Sequence, residues 1–330
     1  MRLEDLSRAE AAQLLDALLS EVATDSQIAA ALIALKMKGE TVAELAGLAG
    51  AMRERAVRIR TKHERFIDTA GTGSSCAKTF NVSTAAAFVI AGAGLPVAKH
   101  GNRAASSRCG SADVLEALGV NVGASAEAAE QSLNEIGICF MFAPLYHNAT
   151  ARVAAIRRQL AVHTTFNLLG PLTNPARAPR QVIGVWGREL VEPMAKALSL
   201  LGTERAWVVH GSDGLDEVTL AQSTFVAEAR DGNVRALEIT PEDFGMPRQE
   251  LGGLHIDNAD DSASLIRDVL AKERRDAARA LIVVNAAAAL FVAAAADDLR
   301  AGVRLAEESI DSGRALQKLD ELIRMTCSSN

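Results

Sequence analysis

Residues 66–91 read Phe-Ile-Asp-Thr-Ala-Gly-Thr-Gly-Ser-Ser-Cys-Ala-Lys-Thr-Phe-Asn-Val-Ser-Thr-Ala-Ala-Ala-Phe-Val-Ile-Ala. Phe66 to Thr69 is β-prone, Gly71 and Gly73 break the run, a row of hydroxyls follows, and Ala85 to Ala91 is apolar. That order predicts a strand, a Gly-rich turn, and a helix whose N-cap is Asn81 or Ser83. Backbone N–H groups at such a helix start, together with hydroxyl donors, suit an anion. A glycine turn is also an ordinary loop device, and neither the dinucleotide fingerprint nor the Gly-x-x-x-x-Gly-Lys-Ser/Thr loop is present.

Working outward, further strands are predicted at Pro96 to Lys99, Ile138 to Phe142, Val182 to Val185, Arg205 to His210 and Leu281 to Val284, most separated by helical stretches. Strands alternating with helices make a mostly parallel sheet covered on both faces, an α/β fold. Upstream the pattern is helical only. Leu14, Leu15, Leu18 and Leu19 fall at helical spacing, Ile28 to Met37 follows a cap at Thr24 or Asp25, and Thr41 begins a helix running to about Arg60. The expected organisation is therefore a helical domain at 1–62 and an α/β domain at 63–330. Residues from about 150 to 180, where prolines and asparagines cluster, form a helical hinge between them.

Composition narrows the class. The chain has 330 residues, 49% of them hydrophobic, enough for a sizeable core. Its net charge of −6 argues against nucleic acid or an anionic membrane as a bulk partner. The charged start lacks the apolar core of a signal peptide, and the Ala-rich run from Leu281 to Ala296 is too short for a membrane span; both point to the cytoplasm. Four cysteines without metal-ligand spacing read as reduced thiols, Cys76 and Cys109 as small filler in tight turns or as mildly reactive groups.

The strongest chemical signal is Lys99 to Ser111, Lys-His-Gly-Asn-Arg-Ala-Ala-Ser-Ser-Arg-Cys-Gly-Ser. Fixed cations, glycines and hydroxyls in one loop suit a phosphate ester. Asp213-Gly214-Leu215-Asp216-Glu217 adds carboxylates that either share a hydrated Mg²⁺ or form a solvated acidic turn. Arg157 and Arg158 are either a salt-bridged helix face or a planar fork for a carboxylate. His100 has the company of a substrate contact, and His147 is the weaker candidate. No acid/base pair or nucleophile constellation stands out.

Five long motifs in order resemble the anthranilate phosphoribosyltransferase family of tryptophan biosynthesis: Asp68 to Thr84, Lys99 to Glu116, Phe142-Ala143-Pro144, Thr165 to Pro175, and His210 to Glu217. The resemblance implies a helical domain joined to a phosphoribosyl-transfer domain of nucleoside phosphorylase type, usually as a homodimer through the helices. It implies transfer of the phosphoribosyl group of 5-phosphoribosyl diphosphate to the amine of anthranilate, with Mg²⁺, and, for that reaction, no dedicated catalytic residue beyond charge stabilisation by Lys99 and Mg²⁺. Gly71, Thr79, Asn81, Ser83, Thr84, Lys99, Ser106, Ser107 and Ser111 would then hold the phosphates. Ser74, Ser75, Val82, Gly101 and Arg103 lie in the same substrate-binding stretches. Ser83, Asp216 and Glu217 would bind the metal, Asn102 and Arg157 the anthranilate, while His100 and Gly71 would border both ligands.

The chain departs from the family pattern at Ser74-Ser75, where Gly-Asp is usual, at His163 in place of arginine, and at Asn148 in place of proline. The alternatives are a paralogue with another aromatic acceptor and a non-catalytic nucleic-acid-binding relative. The negative charge and the Lys99 to Arg103 and Asp216-Glu217 motifs count against the latter.

Overall fold

The computed structural model describes residues 4–73, 79–104, 109–256 and 258–327. The chain begins with α1 (Arg8–Leu18), α2 (Asp25–Lys38) and α3 (Val42–Arg55), each opened by a capping box, from Ser7, Thr24 and Thr41. Helix α3 stops at Arg55 rather than near Arg60. From Ala56 the backbone is extended, and its N–H groups leave the helix: Val57 donates to the Tyr146 carbonyl (2.9 Å) and Ile59 to that of Pro175 (3.3 Å).

The α/β part follows as β1 (Ile67–Gly71), α4 (Val82–Gly92), β2 (Val97–Gly101), α5 (Ser111–Ala117), α6 (Ala126–Ile136) and β3 (Ile138–Phe142). The short α7 (Ala143–Tyr146), α8 (Ala151–Leu160) and α9 (Thr165–Leu172) then interrupt it, α8 packing on α2 and α9 on α3. The sheet resumes with β4 (Arg180–Gly184), α10 (Val191–Leu200), β5 (Arg205–Gly211), β6 (Thr224–Arg230) and β7 (Asn233–Ile239). The chain closes with α11 (Ala259–Leu270), α12 (Ala277–Val292), α13 (Leu299–Asp311) and α14 (Arg314–Cys327).

Among the described residues the strands form one sheet in the order β3-β2-β1-β4-β5-β6-β7, parallel from β3 to β5 and antiparallel thereafter. The predicted strand at Leu281 to Val284 is instead the middle of α12. Alanine favours helix, Asp276 caps the start by accepting from the Ala278 N–H (3.1 Å), and burial on nearly every side erases the amphipathic period. The last two strands, absent from the sequence reading, meet at Asp231-Gly232, both at positive φ (51° and 80°), the geometry of a tight hairpin.

Among the described residues three apolar clusters pack on the sheet. One packs α4, α12 and α14 against Ile67, Val97 and Val182; a second joins α1 to α3 and α8 to α10 with Ile183, Val185 and Val208; a third sets Leu133 and Tyr146 against Ala98, Cys139 and Met141. No helix among the described residues is long and apolar enough to cross a membrane. The strand order reverses between β1 and β4, so their carboxyl ends flank a crevice where ligands of parallel sheets collect.

Candidate functional site

Gly71 and Gly184 stand in register at the crevice. Gly184 has no room for a side chain, since a Cβ there would lie 1.7 Å from the Asp216 carbonyl oxygen, whereas one on Gly71 would make ordinary contact, 3.8 Å from Asp216 Oδ2. The acidic loop after β5 therefore lies directly over the strand ends. Asp213 is its scaffold, accepting from the Leu215 N–H (3.2 Å) and the Thr219 hydroxyl (2.5 Å). Asn285 of α12 clamps the other side, accepting from the Val218 N–H and donating to its carbonyl, both at 2.9 Å. Asn285 had no functional signal in the sequence beyond being a lone polar residue in an apolar run.

Held this way, Glu217 meets the start of α4 and the Asp216 carboxylate lies by Gly71 at the end of β1. The Ser83 N–H donates to Glu217 Oε1 at 3.1 Å, while the Thr69 hydroxyl donates to the Ser83 carbonyl. Burial pushes Glu217 up to about 8, the neighbouring Asp216 adds to the rise, and Lys99 and Ser83 oppose it. Asp216 is raised by burial too. Two carboxylates and a hydroxyl that resist a shared negative charge are hard oxygen donors of the kind Mg²⁺ takes. Lys99 is 4% exposed, donates to the Thr69 carbonyl at 2.5 Å, and has its pKa lowered by burial against the pull of Asp68 and Glu217.

The remaining residues of the two polar stretches divide. Asn81 is the N-cap of α4, but its side chain does not cap; Oδ1 accepts from the Ser262 hydroxyl (3.1 Å) and lies 3.4 Å from the Cys109 sulfur. Thr79 donates to the Phe80 carbonyl, Val82 is buried, and the buried Thr84 hydroxyl has no partner among the described residues. Gly101 ends β2, and the Asn102 carbonyl accepts from the Ser111 hydroxyl (3.3 Å) and the Ala112 N–H (3.2 Å), closing the loop onto α5. Arg103 is turned to Asp113 (2.9 Å) and Glu116 (2.6 Å), so its charge is already matched on the surface. The thiol of Cys109 is pushed up to about 11 by burial, so it is not an activated nucleophile. Ser74, Ser75, Cys76, Ser106 and Ser107 lie outside the described residues.

On the other side of the crevice, α9 organises a second group. Arg157 is half-buried, donates to Asn167 Oδ1 at 2.9 Å and lies over the Phe166 ring, and its buried Nε has no partner among the described residues. Arg158 is exposed. His100 Nδ1 meets the Gly170 carbonyl at 3.2 Å, and its ring lies edge-on to that of His147, 5.3 Å between centroids. Burial lowers His100 to about 3 and His147 to about 4, and the Nε2 of each is buried without a partner among the described residues. Helix α9 thus gathers a guanidinium and two neutral imidazoles into one niche, His100 standing next to Lys99 of the first group.

The chain matches the glycosyl transferase family, its helical bundle domain over residues 1–56 and its a/b domain over residues 63–316. Fold and crevice are thus those of a two-part glycosyl transferase. The anthranilate phosphoribosyltransferase of Moorella thermoacetica is 50% identical over 320 residues, covering 97% of this chain and 94% of its own, and that of Anaeromyxobacter dehalogenans is 51% identical over 323 residues, covering 98% and 95%. The crystal structure of anthranilate phosphoribosyltransferase from Thermus thermophilus superposes with a TM-score of 0.92 at 40% identity, over 98% of this chain and 97% of that one. The Saccharomyces cerevisiae enzyme in complex with PRPP and Mg gives 0.89 at 28% identity, over 98% and 94%. The chain belongs to the anthranilate phosphoribosyltransferase family.

Proposed function

We propose that this chain transfers the phosphoribosyl group of 5-phosphoribosyl diphosphate to the amine of anthranilate, releasing N-(5-phosphoribosyl)anthranilate and diphosphate. The observation that carries this is the meeting of Lys99, Ser83, Asp216 and Glu217 at the β1/β4 crevice, next to the guanidinium niche. Every relative named above is an anthranilate phosphoribosyltransferase, which favours neither the paralogue nor the nucleic-acid reading.

Breaking the ribose–diphosphate bond leaves positive charge on the sugar and negative charge on the leaving group. In our reading Lys99 and the amino end of α4 face the departing diphosphate, with Thr79, Asn81 and Thr84 lining its path. Ser83, Asp216 and Glu217 would hold Mg²⁺, which when bound neutralises phosphate charge. Arg157 presents its fork to the acceptor carboxylate, and Asn102 borders the same niche. An aromatic amine is neutral near pH 7, so no strong base is required; neutral His100 and His147 offer Nε2 lone pairs to its N–H groups. Catalysis is then alignment and charge stabilisation.

The test is loss of anthranilate fluorescence with 5-phosphoribosyl diphosphate and Mg²⁺. No loss at high enzyme concentration would turn the reading to another acceptor. We further assign the protein to the cytoplasm and to a homodimer joined through the helical part, where Val22 and Met37 are 88% and 74% exposed. Sedimentation at a monomer's mass would remove the dimer.

A further inference from the structure

The ladder between β1 and β2 is registered at Ile67 with Val97, whereas β1 and β4 pair from Ile67–Arg180 to Gly71–Gly184. Towards the crevice β2 therefore leaves β1, and the backbone groups so released are met by side chains. Lys99 Nζ takes the Thr69 carbonyl. Asp68 Oδ1 accepts from the His100 N–H at 3.1 Å. Asn174, from the turn between α9 and β4, donates its amide both to Asp68 Oδ2 (2.7 Å) and to the Ala98 carbonyl (2.9 Å).

The two residues flanking Lys99 are thus gripped by one pair of side chains, Ala98 through Asn174 and His100 through Asp68. Asp68 is fully buried and Asn174 is 1% exposed. Burying a carboxylate there raises its pKa to about 6 even with Lys99, Asn174 and the His100 N–H all favouring the charged form. Replacing the pair by apolar residues would relieve that desolvation cost, so stability alone does not account for a carboxylate at this spot. A further group, Gln181, is the cross-strand neighbour of Asp68 and faces the same carboxylate.

We propose that Asp68 and Asn174 are positioning residues for the donor half of the reaction: they fix the backbone on both sides of Lys99 so that its ammonium stays aimed at the departing diphosphate. This rests on the function proposed above. The His100 ring keeps its own anchor, the Gly170 carbonyl of α9, so the acceptor niche does not depend on this couple.

The experiment compares wild type with Asp68→Asn, Asn174→Ala and the double variant, using initial rates at varied donor and acceptor. Binding of inorganic diphosphate with Mg²⁺ is measured alongside by calorimetry. A displacement of order 1 Å at a charge-stabilising group costs about 100-fold. Each single variant is therefore expected to lose about 10- to 100-fold in kcat/KM for the donor and a similar factor in diphosphate affinity, with the acceptor KM within about twofold. Because both act on one clamp, the double variant should be no worse than the poorer single one. A merely structural role would lower kcat through a smaller folded fraction and leave both KM values and the diphosphate affinity unchanged, and that result overturns the proposal, as does additive loss in the double variant. Should Asp68→Asn not fold, Asn174→Ala, which keeps the carboxylate, reads the same clamp. A wild type inert towards both anthranilate and diphosphate overturns the functional reading and the inference with it; an active wild type with unselective variants overturns the inference alone.

Discussion

The α-carbon of Gly184 sits beneath the carbonyl of Asp216 so closely that a methyl group added there would be 1.7 Å from its oxygen. Backbone rather than a flexible side chain is the obstacle, so the acidic loop has to move to admit it. Gly184→Ala is expected to cost about 1–3 kcal/mol through overpacking and to lift Asp216 and Glu217 off the crevice. Thermal unfolding reads the first effect, and a rise in the Mg²⁺ concentration needed for half-maximal rate reads the second. An alanine variant with unchanged metal requirement would contradict the placement of this loop.

Glu217 is raised to about 8 in the folded chain against an ordinary 4.5. A carboxyl with a raised folded pKa contributes most stability below its unfolded value and loses it as pH climbs through the folded one. In chelator, Glu217→Gln should therefore be at least as resistant to urea as wild type at pH 8, since the uncharged amide can still accept from the Ser83 N–H. Turnover should nevertheless lose its stimulation by Mg²⁺. Urea curves and metal titrations of the two proteins check both halves.

Arg157→Ala should act on the acceptor. A hydrogen bond to a charged group is worth about 1.5–3 kcal/mol, so the anthranilate KM should rise about 10- to 150-fold while the donor KM stays put. Arg158→Ala, removing an exposed side chain, should change neither. The reverse pattern in steady-state kinetics would exchange their roles.

His100 and His147 are held near 3 and 4 against an ordinary 6.5. Above pH 6.5 they are neutral folded or unfolded and contribute no slope; below it the unfolded chain takes up protons that the folded chain refuses, and stability falls. Asp68, raised to about 6, works in the opposite sense between about 6 and 3.8, where the folded state holds the extra proton. In chelator, Glu217, raised to about 8, also keeps an extra proton in the folded state, so from about pH 6 to 5 the two carboxyls offset the two histidines and the wild-type slope from these four groups is near zero. His147→Gln removes one histidine from that balance and should tilt the urea midpoints by about one proton, about 1.4 kcal/mol per pH unit, towards greater stability on acidification.

Much of this arrangement is readable from local chemistry. The strand–turn–helix unit at residues 66–91 carries its own punctuation, and the parallel strands announce themselves by short β-prone runs, so the sheet that frames the crevice follows. What escaped reading is instructive. Helix α12 is buried on nearly all sides, so periodicity is silent there and only alanine's helix preference speaks. Strands β6 and β7 had a signal in Asp231-Gly232 between alternating residues, a hairpin mark. In the site, Lys99, Asp216 and Glu217 sit in Gly-rich polar stretches and attract attention. Asn285, Ser262 and Asn174 act across more than 60 residues of chain, and nothing in their own neighbourhoods records the partner. Arg103 misleads for the converse reason: a cation in a phosphate-like loop, it is matched by Asp113 and Glu116 one helix further on.

Helices α1 to α3, α8, α9 and α10 share a single apolar cluster with Ile183, Val185 and Val208 of the sheet. A wide swing of the helical part away from the strands would bring water to those side chains, an expense that a crevice opening and closing at every turnover is ill placed to meet. The same shared face therefore keeps Arg157 of α8 and the α9 residues that hold it at a fixed station beside the strand ends, so the crevice is assembled by folding itself.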